Sequence, residues 1–198
     1  QITQNPIRKY PKNNIHKNKD VDLEILVIGG SQGATIFDTI SPNAIALVKK
    51  ELPKIKLSLS QQSSSLNLIN IYQKLGYEAD IQPFFVQIDN KYEQSQLVIA
   101  RAGASTIEEL IQKCKPSILV PLPTSAKDHQ RSNAMFLHQK GASWYIEQNE
   151  NCYLKIASKL IQILQNPNEL HIAFSNLLSI KQRKRKSIES LIYEIAFS

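Results

Sequence analysis

The sequence has few of the residues from which metal and disulfide sites are built. Of its 198 residues only two are cysteines, Cys114 and Cys152, which lie far apart and outside any C-x-x-C pair. The four histidines, at positions 16, 129, 138 and 171, show no metal-binding spacing. These shortages exclude the common zinc and redox motifs and favour a protein of a reducing cytosol. We therefore expect no metal and no cofactor.

Long apolar runs are also missing. No stretch reaches the roughly 18 to 20 apolar residues that a membrane-spanning helix requires. Hydrophobic residues make up 42% of the chain and charged residues 21%. Both values are near the averages of globular proteins, which argues against a disordered or fibrous chain. A chain of 198 residues can form one domain with a full hydrophobic core.

Basic residues outnumber acidic residues. There are 24 basic and 17 acidic residues, a net charge of +7, and basic residues cluster at Lys9–Lys19 and Lys181–Lys186. Such clusters are solvated faces or surfaces that attract nucleic acid or anionic membrane. Aromatic residues are not interleaved with the charges, so we expect no nucleic-acid partner. Contact with a membrane surface stays as an alternative to a solvated face.

Short apolar runs alternate with stretches of helical periodicity. The first run, 23–28, ends at Gly29-Gly30 and precedes a helix that Pro42 is expected to restart after Ser41. Further strands are predicted near 55–60, 79–85, 97–100, 117–120 and 143–146, with helices near 64–75, 89–95, 106–113 and 128–139 and a helical tail over 151–198 that breaks at Asn166-Pro167. This order predicts an α/β, Rossmann-like parallel sheet with helices on both faces, which binds ligands at the carboxyl ends of its strands.

The segment Gly29-Gly-Ser-Gln-Gly33 follows a predicted strand and opens a helix. Glycines let the backbone approach an anion, and the free N–H groups of a helix start face it with positive partial charge. A phosphate would fit there, although the segment is neither a P-loop nor G-x-G-x-x-G. A tight structural turn is the alternative interpretation.

The segment Arg101-Ala-Gly-Ala-Ser-Thr106 repeats this arrangement after the fourth predicted strand. Gly103 would form the turn, and Ser105 or Thr106 could cap the next helix. Glu108 and Glu109 follow. A carboxylate behind a phosphate-binding turn can accept the two ribose hydroxyls of a nucleotide, as the acidic residue of dinucleotide folds does. Each glutamate could instead be a solvated residue favoured by the helix dipole.

The segment Asp128-His-Gln-x-x-Asn133 follows the proline-rich turn at 121–123. Its side-chain amides could contact sugar hydroxyls as donors and acceptors. Taken alone, Asp128 could simply be the N-cap of a helix. Three strand-end turns of one sheet nevertheless each carry groups that suit a different part of a nucleotide sugar, which predicts a nucleotide-sugar pocket.

Together these segments resemble the MurG family, peptidoglycan glycosyltransferases that convert lipid I to lipid II. The resemblance is carried by Gly29-Gly-Ser-Gln-Gly-Ala34, Arg101-x-Gly-Ala-x-Thr106-x-x-Glu109, Asp128-His-Gln-x-x-Asn-Ala134 and Asn5-Pro-Ile-Arg8. It covers the chain from about residue 5 to at least 150. The last of these segments looks like the family's linker between two domains, and the start at Gln1 suggests the second half of a larger protein.

The resemblance implies the C-terminal, donor-binding domain of a two-domain GT-B enzyme that transfers GlcNAc from UDP-GlcNAc to undecaprenyl-pyrophosphoryl-MurNAc-pentapeptide. Residues 1–20 would be a linker, 21–165 the UDP-GlcNAc-binding domain, and 166–198 helices that pack toward an N-terminal domain. That domain would bind lipid I and supply the general base, so no catalytic residue is assigned here. A peripheral location on the cytoplasmic side of the bacterial membrane is also implied.

The resemblance assigns site residues to the parts of UDP-GlcNAc. Ser31 and nearby amides would face the diphosphate, the backbone around Phe85 the uracil, and Gln130 the GlcNAc ring. Arg8 would approach the pocket from the linker. Phosphate and ribose would lie on Ala104, Ser105, Thr106, Ile107, Glu108 and Glu109, with Glu109 on the ribose hydroxyls.

Two departures from the family pattern concern the linker and the pocket edge. Gln4 replaces the usual Gly before Asn-Pro, and Gln61-Gln62-Ser63 replaces the usual His-Gln-Ser/Thr. Alternative functions are another GT-B transferase that uses a UDP-sugar, such as a diacylglycerol glycosyltransferase, and a non-catalytic UDP-sugar-binding subunit paired with a separate acceptor-binding chain. A UDP-GlcNAc epimerase is disfavoured by the motif order, and a nucleic-acid-binding module ranks last.

Overall fold

The computed structural model describes residues 21–29, 35–125 and 128–197, with side chains as far as Lys186. Within these ranges there are six strands and seven helices. The strands are β1 Leu23–Ile28, β2 Leu57–Gln62, β3 Glu78–Gln82, β4 Leu97–Ala100, β5 Ser117–Leu119 and β6 Ser143–Tyr145. The helices are α1 Phe37–Glu51, α2 Asn67–Lys74, α3 Ile88–Gln94, α4 Ala104–Lys113, α5 His129–Gln139, α6 Cys152–Gln165 and α7 Asn168–Phe197.

The strands form one sheet in the order β3-β2-β1-β4-β5-β6, and each neighbouring pair is parallel. The chain starts at the centre with β1, moves outward to β3, and returns through α3 to β4 on the other side of β1. The strand order therefore reverses between β1 and β4, where ligands bind in such sheets. We call the edge at which the strands end the carboxyl edge.

Side chains of β1 alternate between two cores. Ile25 and Val27 pack with residues of α1, α2 and α6, whereas Leu26 and Ile28 pack with residues of α3, α4 and α5. Successive side chains of a strand point to opposite faces, so the two clusters are the two covered faces of the sheet. The predicted Rossmann-like parallel sheet with helices on both faces is confirmed.

The first helix differs from its prediction. Pro42 does not restart a helix after Ser41; it lies inside a continuous α1. Proline removes one helical hydrogen bond, but Ile40 before it and Ala44 after it are buried in the same core, which holds the helix together on both sides. The other predicted elements are present, with ends that differ by a few residues.

Helix α7 packs on both cores in its first half, where Leu170 joins one core cluster and Leu177 the other. Lys184 pairs with Glu108, and Lys181 donates to the carbonyl of Gln112, so α7 is also tied to α4. The predicted linker 1–20 and the side chains of the tail from residue 187 lie outside the described residues. Among the described residues, no helix has the length and apolarity of a membrane span.

Candidate nucleotide-sugar site

The β4–α4 turn presents a helix start at the carboxyl edge. Gly103 is the N-cap of α4, and the first helical bond runs from Ile107 N to its carbonyl at 2.9 Å. The predicted capping by Ser105 or Thr106 is therefore wrong, because both residues lie inside the helix. The N-cap residue is Gly103, which has no side chain. Ala104 and Ser105 are exposed and Thr106 is buried. The N–H groups of these three residues have no partner within the helix and can bind an anion.

Glu109 lies on the next turn of α4 with an exposed side chain. Its Oε2 accepts a hydrogen bond from the hydroxyl of Tyr92 in α3 at 2.8 Å. Burial, and then the Glu109 carboxylate, raises the pKa of Tyr92 well above its ordinary value. Tyr92 therefore stays protonated and acts as the donor. The Tyr92 contact was not predicted, because only the packing of α3 against α4 brings it close.

The neighbouring residues of α4 face other parts of the protein. Glu108 pairs with Lys184 of α7 and accepts from Gln112 at 2.9 Å. The Lys184 hydrogen bond is the main reason that the pKa of Glu108 lies below its usual value. Ile107 packs in the core between α4 and the sheet. The two glutamates thus differ: one carboxylate is paired with a lysine, and the other is held by a phenol.

Gln130 of α5 is tied to the same turn. Its Oε1 accepts from the backbone N–H of Leu122 at 3.0 Å and of Ala102 at 3.4 Å. Because both partners are donors, the amide oxygen must face them, which leaves Nε2 as the outward group. Asn133 donates from Nδ2 to the carbonyl of Ala102 at 3.0 Å, so α5 holds the residues directly before α4 at two points.

Asp128 occupies the N-cap position of α5 in the left-handed region, with φ of 56°. Among the described residues it makes no side-chain cap bond to that helix. Its carboxylate lies 3.6 Å from Arg131. The interpretation as a simple side-chain cap is therefore not supported by the geometry.

The β3–α3 loop carries the predicted uracil contact. The Phe85 side chain is buried, with Lys91 Nζ 5.5 Å from its ring centroid. Its neighbours Phe84 and Val86 are 67% and 87% exposed. The side chain of Phe85 thus anchors a loop whose backbone lies at the carboxyl edge, which is compatible with a backbone contact to a base.

A buried cation lies at the end of β4. Arg101 is 7% exposed, donates to the carbonyl of Val120 at 2.9 Å and lies over the Phe37 ring. Burial lowers its pKa from the ordinary value. Its charge adds to the positive potential of the α4 start, three residues further along the chain.

Two predicted site residues, Arg8 and Ser31, lie outside the described residues. The glycine segment after β1 is described only as far as Gly29. The residues placed at the carboxyl edge therefore come from the β3–α3 loop, α4 and α5, and their contacts to UDP-GlcNAc remain predictions. In the described part of the chain, no group of three or more His, Cys, Asp or Glu side chains could hold a metal ion.

Comparison with known proteins places the chain in a family. Residues 24–191 match the glycosyltransferase family 28 C-terminal domain. A Rickettsia bellii protein, "UDP-N-acetylglucosamine--N-acetylmuramyl-(pentapeptide) pyrophosphoryl-undecaprenol N-acetylglucosamine transferase", is 35% identical over 90% of this chain and 51% of its own length. Its namesake from Rickettsia massiliae is 37% identical over 91% and 49%. The chain thus spans about half the length of the curated relatives it matches.

Solved structures agree on the fold. Acinetobacter baumannii MurG gives a TM-score of 0.68 at 24% identity, over 92% of this chain and 58% of that one. The pneumococcal O-GlcNAc transferase GtfA, in complex with UDP and GlcNAc, gives 0.55 at 13% identity over 93% and 38%. The fold is therefore shared with glycosyltransferases, and the resemblance to MurG drawn from the motifs is confirmed. With its match over residues 24–191, this chain belongs to the glycosyltransferase family 28 C-terminal domain family.

Proposed function

We propose that this chain is the donor-binding half of an inverting N-acetylglucosaminyltransferase that transfers GlcNAc from UDP-GlcNAc to the lipid-linked acceptor lipid I in peptidoglycan synthesis. The observation that carries the proposal is the convergence at the carboxyl edge of the α4 N–H groups, the Glu109 carboxylate and Nε2 of Gln130. The names of the two Rickettsia relatives indicate UDP-N-acetylglucosamine as donor and an undecaprenol-linked acceptor.

The chemistry that this half supplies is stabilisation of the leaving group. When the acceptor hydroxyl attacks the anomeric carbon, the bond to the diphosphate breaks and UDP takes up negative charge. Preorganised N–H groups of a helix start, here those of Ala104 to Thr106, are suited to stabilise that charge. Glu109 would hold the ribose hydroxyls, and Nε2 of Gln130 would donate to an oxygen of the sugar.

Deprotonation of the acceptor needs a base within hydrogen-bond reach of its hydroxyl. We assign that base to the part of the relatives' length that this chain does not span. Residues 1–20 would then be the linker, 21–165 the donor domain and 166–198 helices that reach toward the acceptor domain. The 198-residue chain alone should bind the donor without turning it over.

Calorimetric titration of the 198-residue chain with UDP-GlcNAc, UDP-GalNAc and UDP-glucose tests the proposal. We expect binding with a preference for UDP-GlcNAc, and at least about tenfold weaker binding by Glu109→Ala, since a charge-assisted hydrogen bond is lost. Glu78→Ala is the matched control, because Glu78 is exposed at the opposite end of the sheet. Unchanged affinity in Glu109→Ala would refute the assignment.

A peripheral location at the cytoplasmic membrane surface belongs to the same proposal. The acceptor of the relatives carries an undecaprenol chain by name, and exposed Arg183 and Lys186 lie in the basic run of α7. Basic clusters bind anionic lipid headgroups. We expect the protein to co-sediment with anionic vesicles but not with neutral ones, and the double variant Arg183→Gln/Lys186→Gln to co-sediment less. Equal sedimentation with both kinds of vesicle would refute the peripheral location.

A further inference from the structure

Tyr92 is the hydrogen-bond partner found for Glu109 within the described part of the chain. Its hydroxyl lies 2.8 Å from Oε2. The tyrosine is 1% exposed, whereas the Glu109 side chain is exposed. One carboxylate oxygen is thus bonded from the protein side, whereas Oε1 has no hydrogen-bond partner among the described residues.

The phenol is held more firmly than the carboxylate that it contacts. Tyr92 packs in the core cluster of this face of the sheet, and Ser95 Oγ donates to its carbonyl at 3.1 Å. Helix α3 is also tied to its neighbours by ion pairs, Lys91 with Asp80 at 2.6 Å and Lys113 with Asp89 at 2.8 Å. The phenol therefore restrains the position of Oε2 and limits the rotamers that the Glu109 side chain can adopt.

We infer that Tyr92 is a positioning residue, which orients Glu109 and so gives the site its preference for ribose over 2′-deoxyribose. The inference rests on the proposed function, in which Glu109 accepts hydrogen bonds from the ribose hydroxyls. A carboxylate restrained at Oε2 presents Oε1 and the remaining lone pair of Oε2 in a narrow range of orientations. Vicinal hydroxyls can engage both, whereas a 2′-deoxyribose has lost one donor.

The protonation state of Tyr92 supports this role. Burial raises its pKa, and the bond to Glu109 raises it further, so the hydroxyl keeps its proton throughout the physiological range. The charged groups that act on it are Glu109 from α4 and Asp89 on its own helix, and Asp89 is paired with Lys113. Tyr92 is therefore the donor of this contact throughout that range.

The test compares UDP with 2′-deoxy-UDP by calorimetry on the 198-residue chain, together with thermal unfolding of each variant. The wild-type protein should prefer UDP. Tyr92→Phe should weaken UDP binding about five- to tenfold, less than the loss of a direct hydrogen bond to a charged group because Tyr92 acts through Glu109, and should weaken 2′-deoxy-UDP binding much less. On a Glu109→Ala background, Tyr92→Phe should change neither affinity.

Tyr77→Phe is the matched control. Its hydroxyl is buried without a partner in the described residues, and it lies just before β3 at the opposite end of the sheet. It should leave both affinities unchanged.

Two outcomes separate the inference from the proposed function. If the wild-type chain prefers UDP and Tyr92→Phe keeps the same ratio of affinities, whether or not it unfolds at a lower temperature, the bond only joins α3 to α4 and the inference alone is overturned. If the wild-type chain binds neither UDP nor UDP-GlcNAc, the proposed function is overturned and the inference with it.

Discussion

Gln61 at the end of β2 donates a hydrogen bond from Nε2 to Oδ1 of Asp38, in the first turn of α1, at 3.1 Å. Its Oε1 accepts from the Tyr72 hydroxyl at 2.7 Å. Both Gln61 and Tyr72 are completely buried. One amide thus joins β2, α1 and α2 as donor and acceptor at once, and it holds the helix that follows the predicted diphosphate turn.

Replacement of Gln61 by leucine should therefore destabilise the protein by about 2 to 3 kcal/mol, because it leaves the Tyr72 hydroxyl and an Asp38 oxygen without their partner. Urea unfolding followed by circular dichroism measures the change. The double variant Gln61→Leu/Tyr72→Phe removes the orphaned hydroxyl and should recover part of the loss. If the single variant is as stable as wild type, the bonds do not hold α1.

The hydrogen bonds of Gln61 also show which features of the fold the sequence alone does not predict. The run Leu23–Ile28 predicted a buried strand because it is apolar and is followed by glycine. In a parallel sheet the strands end at the same edge, so the starts of α4 and α5 were predicted to lie there together. No pattern in the sequence predicted that Gln61 joins two helices to the sheet. It departs from a family pattern, and its role depends on two side chains from different helices.

The start of α4 and the contact of Tyr92 were missed for related reasons. Ser105 and Thr106 have cap-forming side chains, which suggested a later helix start. The chain instead begins the helix at Ala104 with Gly103 as cap. Tyr92 meets Glu109 only because α3 carries the chain across the sheet to β4. Local composition predicts elements well, but contacts between side chains of successive helices require the packed structure.

Gln130 has two roles that can be tested separately: its bonds to backbone N–H groups and its proposed bond to the sugar. Gln130→Glu keeps an oxygen for the backbone N–H groups of Leu122 and Ala102 but removes the Nε2 donor. We expect an unfolding free energy close to wild type and a loss of affinity that is about tenfold larger for UDP-GlcNAc than for UDP, because the new charge repels both diphosphates but the lost bond goes to the sugar. Calorimetry with both ligands measures this, with the exposed Gln139→Glu on the same helix as control. Equal loss for UDP and UDP-GlcNAc would contradict a contact to the sugar.

Donor binding should survive removal of metal. The groups proposed for the diphosphate are neutral N–H donors at a helix start, which stabilise anionic charge without a bound cation. Titration with UDP-GlcNAc in excess EDTA should give the affinity measured without it. Loss of binding on chelation, restored by Mg²⁺ or Mn²⁺, would show that a metal holds the diphosphate instead.

Lys115 should make stability depend on pH in the alkaline range. Burial lowers its pKa to about 8, while its Nζ donates to the Ser95 carbonyl at 2.8 Å. The titratable neighbours are Glu93, Cys114, Glu24 and Lys113. Because the folded pKa lies below the unfolded one, the unfolded state binds more protons between about pH 8 and 10, and stability rises with pH there.

The measurable quantity is the difference in unfolding free energy between wild type and Lys115→Met, which cancels the titration of other groups. It should shift in favour of wild type by about 2 kcal/mol from pH 7 to pH 10. Urea unfolding at pH 7, 8, 9 and 10 tests this. A difference that stays constant over the series would show that Lys115 titrates normally.

Two glycines should respond to alanine in opposite ways. Gly103 has φ of −61° and ψ of 154°, which any residue adopts. A Cβ there would meet Thr106 Oγ1 at 3.9 Å, an ordinary contact. Gly141 has φ of +63°, and its Cβ would lie 2.9 Å from Asn176 Nδ2. The fold requires glycine at position 141 but not at position 103.

Gly103→Ala should therefore unfold within about 0.5 kcal/mol of wild type, because the entropy gained in the unfolded chain offsets the poorer N-cap. If the donor phosphate approaches this turn closely, the added methyl group occupies its place, and UDP-GlcNAc affinity should fall at least about tenfold. Gly141→Ala should lose about 1 to 2 kcal/mol and keep its donor affinity. Unfolding by urea and titration with UDP-GlcNAc measure both variants, and a Gly103→Ala protein that binds the donor normally would move the diphosphate away from the start of α4.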